Sequence, residues 1–267
     1  MFLGILQEVV KEKGLEHMYP ETRLREVAAE LAKGDPVGAI CNYWGVKKEL
    51  AFDLAKLSLF DVVFLLDDSG SMAFGTGRVN ELKFILSEAA FVTGLMDRDG
   101  FSVRFMNSDS GGDNIRTKQQ AADLVEGIRF QGTTPLASSL KKKILDPFIY
   151  GPKKAGRLNK PVLVIIITDG EVNFVAFFYN RNQLTINSLL IITSANSRTM
   201  LKMSRIILRD KAVSSLASTP LDLLTDCFQV VSFQIAQVGN DQAAQQFLAE
   251  LDNDPDVGGL IDCTSSM

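Results

Sequence analysis

The sequence predicts an α/β protein: a doubly wound, mostly parallel six-stranded sheet flanked by helices, with a small helical region at the N-terminus. Three observations carry that expectation. FDVVFLL (60–66) and PVLVIIIT (161–168) are almost continuously apolar, as in strands buried on both faces. From residue 60 onward, short apolar runs alternate with segments of helical periodicity, the pattern of a sheet whose strands are joined by helices. Before residue 59 the apolar residues recur at helical spacing instead.

Taken in order, Ile5, Val9 and Val10, then Leu24, Val27, Ala28 and Leu31, lie on helical stripes separated by Pro20 and Gly34-Asp35-Pro36. KKELAFDLAKLSLF (47–60) is a further amphipathic helix. Residues 1–58 are therefore read as a helical region and 59–267 as the main domain. ICNYWGVKKELAFDL (40–54) faintly suggests a helix-turn-helix, but the region is not notably basic, which favours a packing layer with Trp44 as a core aromatic. After the strand at 60–66 come a helix at 79–96, a strand at 101–107, a turn cluster SDSGGDN (108–114) with IRT as a short edge strand, and helices at 118–130 and 132–149. The strand at 161–168 is followed by a helix at 198–217, a strand at 228–238, a helix at 241–253 and a closing strand at 259–264.

Composition narrows the function. With 28 basic and 32 acidic residues the net charge is −4, so no strong basic field marks a nucleic-acid partner. Cys41, Cys227 and Cys263 are far apart and His17 is the lone histidine, which argues against zinc and suits a reducing compartment. The N-terminal apolar run is short and meets Glu8 early, unlike a signal peptide. No apolar run approaches the roughly 18 residues of a membrane span. The expectation is a soluble, cytoplasmic protein with neither nucleic-acid nor membrane partners.

Three polar groups fall where apolar strands end or helices begin: Asp67-x-Ser69-x-Ser71 after the first strand, Thr133 and Thr134 in GTTPL, and Asp169 in IIITDGE. In open α/β sheets, ligands sit at the carboxyl ends of the strands. Carboxylates with neutral hydroxyls, and no His or Cys, are hard oxygen ligands that suit Mg²⁺, Mn²⁺ or Ca²⁺. Counting one of the two threonines, these loops offer five side chains to a cation that takes about six oxygens. An incoming carboxylate is a plausible sixth ligand. Each piece alone is compatible with an ordinary turn. Asp241 reads as a helix N-cap or first-turn residue.

Together, D-x-S-x-S after an apolar strand, the G-T-T-P-L helix start and the I-T-D-G strand end resemble the von Willebrand factor type A domain over about residues 58–265. The triple resembles that family's metal-ion-dependent adhesion site. The resemblance implies Asp67, Ser69, Ser71, Thr134 and Asp169 as the metal-site residues, with Thr133 as the alternative to Thr134 and Asp68 as a supporting or surface carboxylate. It also implies a protein partner that supplies an Asp or Glu to the metal. The D-x-D of haloacid-dehalogenase-type phosphatases is absent, because position 69 is serine.

Two departures accompany the resemblance. The family usually has one more helix after its last strand, and the N-terminal helices are the candidates to cover the sheet face it would occupy. Residues 172–197 (VNFVAFFYNRNQLTINSLLIITSANS) stand where the family has a short connection. That segment reads as a lid, as an extra hairpin, or as a translated in-frame intron. The leading function is a non-enzymatic, metal-dependent protein-binding module. The alternatives are a docking subunit of an AAA- or chelatase-type assembly and a metal-dependent hydrolase with Glu171 as base.

Overall fold

The computed structural model of the chain describes residues 1–74 and 77–169, together with the strand backbones at 190–192, 231–237 and 262–264. The expected helices at 198–217 and 241–253, Asp241, Glu171, and 172–197 apart from its one strand lie outside the described residues.

Four helices open the chain: α1 (Phe2–Glu12), α2 (Glu21–Ala32), α3 (Pro36–Trp44) and α4 (Lys48–Leu54), the last running into a 3₁₀ turn, Ala55–Leu59. Local chemistry sets the ends of α3. The Asp35 carboxylate accepts from Gly38 N, Pro36 follows the cap, and Gly45 closes the helix in a left-handed conformation. The expected helix over 47–60 is thus split, its second half tightening into the 3₁₀ turn that feeds the first strand.

That strand is β1 (Asp61–Leu66). It is followed by the short α5 (Gly70–Phe74), the long α6 (Arg78–Met96), β2 (Phe101–Phe105), β3 (Gly111–Ile115) and α7 (Lys118–Glu126). Then α8 (Leu136–Ser139), a π-helical stretch (Leu140–Tyr150) and α9 (Gly151–Lys154) lead to β4 (Val162–Thr168). The helix expected over 132–149 begins later, at Leu136. Pro147 lies inside the π-helical stretch, where an α-helical turn would lack one N–H and meet the proline ring.

Four strands form an open sheet in the order β3-β2-β1-β4. β1 is parallel to β2 and β4, whereas β3 runs antiparallel as an edge. Beyond β4, β5 (Leu190–Ile192), β7 (Asp262–Thr264) and β6 (Val231–Gln237) extend the sheet to seven strands among the described residues, through parallel pairings. β6 also pairs with β4 directly. The expected count of six is therefore corrected, since part of 172–197 pairs as β5. The edge strand also differs from expectation: β3 forms from the glycine-rich GGDNI rather than from IRT. A side chain at Gly111 would come within 2.8 Å of the Val103 carbonyl, so glycine suits this close, irregular pairing.

Alternation along the strands separates two layers. Val62, Phe64 and Leu66 of β1, with Leu163, Ile165 and Ile167 of β4, share one hydrophobic cluster with α6 and α1–α4. Val63, Leu65, Val164 and Ile166 between them are equally buried, and the helical stretch 140–150 packs against β1 and β4. Burial on both faces explains the unbroken apolar runs. The N-terminal helices reach the sheet through the 3₁₀ turn and α6, and the buried Tyr19 hydroxyl donates to the Leu59 carbonyl at 2.6 Å. Because α6 is covered on several sides, Leu82, Leu86, Ala90 and even Glu88 are buried. Trp44 is half-buried against this cluster, and its indole N–H donates to Glu88 at 2.6 Å.

Candidate metal centre

Register places the centre. Leu66 pairs with Ile167, so the two strands end side by side, and the next residues carry the polar groups. Asp67 N donates to the Ile167 carbonyl at 2.8 Å, which holds Asp67 beside Thr168 and Asp169 at the carboxyl ends of the parallel strands.

All five residues singled out from the sequence meet here. Ser69 N donates to Asp67 Oδ1 at 2.8 Å. The Ser69 and Ser71 hydroxyl oxygens are 2.9 Å apart, and Ser71 Oγ donates to Asp169 Oδ1 at 3.0 Å. Thr134 Oγ1 donates to Asp67 Oδ2 at 3.3 Å. The result is one continuous hydrogen-bonded chain, Thr134–Asp67–Ser69–Ser71–Asp169, whose Asp67–Ser69 link is made by the Ser69 backbone N–H. Thr133 is exposed, and its carbonyl instead accepts from Asn107 Nδ2 at 2.8 Å. Asp67, Ser69 and Asp169 are buried. Burial pushes the Asp67 carboxyl above the usual range, hydrogen bonds from Thr168 and Ser69 pull against that, and the nearby Asp169 charge adds to the rise.

Three further residues shape the centre without having been read from the sequence as part of it. The Thr168 hydroxyl donates to Asp67 Oδ2. The Arg78 guanidinium, at the start of α6, pairs with Asp169 Oδ2 and donates to the Ser71 carbonyl at 3.1 Å. Asn107 ties its loop to the others. Asp68 is not a surface carboxylate. It is 1% exposed and accepts from Asn107 N at 2.7 Å, Asn107 Nδ2 at 3.0 Å and Ser108 N at 2.8 Å.

Asp68 thereby fastens the loop after β2 to the loop after β1, and its own carbonyl accepts from Gln131 N at 2.7 Å. Gly132, at φ 93°, sits where an added side chain would press Asn107 Oδ1 at 2.9 Å. Only glycine takes this backbone without strain, and Gly132 O accepts from Gly70 N at 3.1 Å. The loop carrying Thr134 is therefore set by backbone bonds to the loop carrying Ser69 and Ser71.

The donor set fits a small hard cation. Neighbouring oxygens of an octahedral shell at about 2.1 Å from the metal lie about 3 Å apart. The Ser69–Ser71 and Ser71–Asp169 separations, 2.9 and 3.0 Å, match that edge. With a cation present, the hydroxyls would turn their protons away and offer their lone pairs to it at the separations the loops already hold.

A second acidic group, Asp61, Asp97 and Asp99, lies at the opposite end of the strands. Its centre is already taken by a cation of the chain: Lys160 Nζ is 2.8 Å from Asp97, 3.1 Å from Asp99 and 3.7 Å from Asp61. Burial alone would lower the Lys160 pKa, but these carboxylates outweigh it and lift it to about 12. The group is an ion-pair network that closes the bottom of the sheet.

No protein-family model matches the chain, and no curated protein matches it significantly. Among the described residues, no helix is long and apolar enough to cross a membrane.

Proposed function

We propose that the protein is a von Willebrand factor type A module, doubly wound about its sheet, that binds a partner protein through a divalent cation. Asp67, Ser69, Ser71, Thr134 and Asp169 would hold Mg²⁺ or Mn²⁺, and an Asp or Glu of the partner would complete the shell. The observation that supports this reading is the convergence of the oxygen-bearing side chains of Asp67, Ser69, Ser71, Thr134 and Asp169, from three separate loops, into one hydrogen-bonded cluster. A bound cation would supply an electrophilic position for a carboxylate. The chain's own residues do the rest. Asp67 and Asp169 would offset the cation's charge, the hydroxyls would orient toward it, and Asp68 with Asn107 ties the loop after β1 to the loop after β2 and to the loop carrying Thr134. The three cysteines, sparse and unpaired by motif, suit work in the cytoplasm.

The test is partner capture from a lysate of the source cells with the intact protein, with Mg²⁺ and with chelator, beside the Asp169→Ala variant. A protein retained with Mg²⁺ and lost with chelator and in the variant is the expected result. Capture indifferent to both would remove the metal from the interaction.

A further inference from the structure

We infer that Arg78 is a two-position counterion: it neutralises Asp169 when no cation is present and moves to Glu81 when one binds. This rests on the metal-binding reading above and adds how the site would be regulated.

Two independent observations point to it. First, the guanidinium of Arg78 sits on Asp169 Oδ2 while reaching the Ser71 carbonyl. It thus clips together two of the loops that would hold the cation, and uses a carboxylate that the cation needs. The pair joins a fully buried Asp169 side chain to an arginine that keeps 24% exposure, so of the two partners only the arginine has access to solvent. Second, Glu81 lies in the same first turn of α6, three residues on, where side chains share a face. Its Oε2 is buried and has no hydrogen-bond partner among the described residues. A buried carboxylate oxygen without a partner is costly and calls for an explanation. Burial pushes the Glu81 carboxyl up from its usual range, and the Arg78 charge already pulls it back, which places the guanidinium within electrostatic reach.

The switch follows from charge arithmetic. Without a divalent cation, two buried carboxylates, Asp67 and Asp169, face each other across the serines, and Arg78 removes part of that repulsion. A divalent cation there repels the guanidinium and supplies its role. Arg78 then gains by swinging to Glu81 Oε2, which satisfies the orphaned oxygen. Arg78 therefore weakens cation affinity by occupying Asp169, while Glu81 strengthens it by giving the displaced arginine a seat.

The experiment is calorimetric titration of Mn²⁺ into the full chain, its Arg78→Gln and Glu81→Gln variants, and the double variant, with circular dichroism to confirm folding. Arg78→Gln should bind several-fold tighter and Glu81→Gln several-fold weaker. Simple field effects would give the same two signs and would add. The switch instead requires Glu81→Gln to have no effect once Arg78 is gone. If Arg78→Gln binds more weakly or unchanged, the arginine is only a structural clip and the inference fails. Additive single effects overturn it as well. Should Arg78→Gln not fold, Arg78→Met takes its place in the same cycle, and unchanged Mn²⁺ affinity in Glu81→Gln by itself sinks the inference. Absence of Mn²⁺ binding by the unaltered protein would overturn the metal reading itself, a distinct result.

Discussion

Replacing Asp68 by alanine should be among the most destabilising single changes in the loops around the centre. The side chain is 1% exposed and accepts three hydrogen bonds, two from the backbone N–H groups of Asn107 and Ser108 and one from the Asn107 amide. Alanine deletes all three and leaves two backbone donors without their acceptor. Hydrogen bonds to a charged group contribute about 1.5–3 kcal/mol each, and an orphaned buried donor costs about 1–3 kcal/mol. Water entering the vacated space recovers part of this, so a net loss of about 3–5 kcal/mol is expected. Asp68→Asn keeps the shape and one good acceptor, and should lose about half as much. The assay is urea unfolding in chelator and again in Mg²⁺, with the midpoint and slope compared across variants. The loss should appear in chelator, because Asp68 acts on the loops and not through the metal. A loss below about 1 kcal/mol in Asp68→Ala would refute the claim that this carboxylate holds the loops together.

Other consequences follow from the same geometry. Asp169→Ala should abolish partner capture while circular dichroism stays unchanged, since the change removes carboxylate repulsion and leaves Arg78 free to reach solvent. Thr134→Ala should weaken Mn²⁺ binding in calorimetry by more than Thr133→Ala, because of these two threonines it is Thr134 that directs its hydroxyl to Asp67. Stability measured by urea titration should fall steeply between about pH 10 and 12. Lys160 is held at about 12, above its ordinary 10.5, so its ion-pair contribution, about 2 kcal/mol, is full below 10.5 and lost as pH rises through 12. Tyr19, pushed by burial to about 12 from 10.0, acts in the same direction: the unfolded chain ionises first and is favoured from pH 10 upward. Lys160→Met and Tyr19→Phe should each flatten part of that slope.

What could be read from the sequence was whatever depends on local pattern. β1 and β4 were visible because burial on both faces leaves no polar alternation in 62–66 and 162–167. Asp67, Ser69, Ser71 and Asp169 stood out because hydroxyls and carboxylates directly after such strands have no packing reason to be there, and Thr134 because it stands just before a helix, in GTTPL. Contacts made across the chain were not visible. Arg78 meets Asp169 at a separation of 91 residues, and nothing in GTGRVN identifies its partner. Asp68 looked like a neighbour of the site, yet its role is defined by Asn107 and Ser108, 39 and 40 residues away. β3 was hidden because its glycines, which read as a turn, are what permit close pairing with β2. The π-helical stretch was hidden because periodicity alone does not show how a chain accommodates Pro147.

The most direct test of the central claim is calorimetric titration of Mg²⁺ or Mn²⁺ into the purified chain and its Asp67→Ala variant, each verified as folded in chelator. The account predicts a single site in the unaltered protein and no detectable binding in the variant. No binding by the unaltered protein, or equal binding by both, would contradict it.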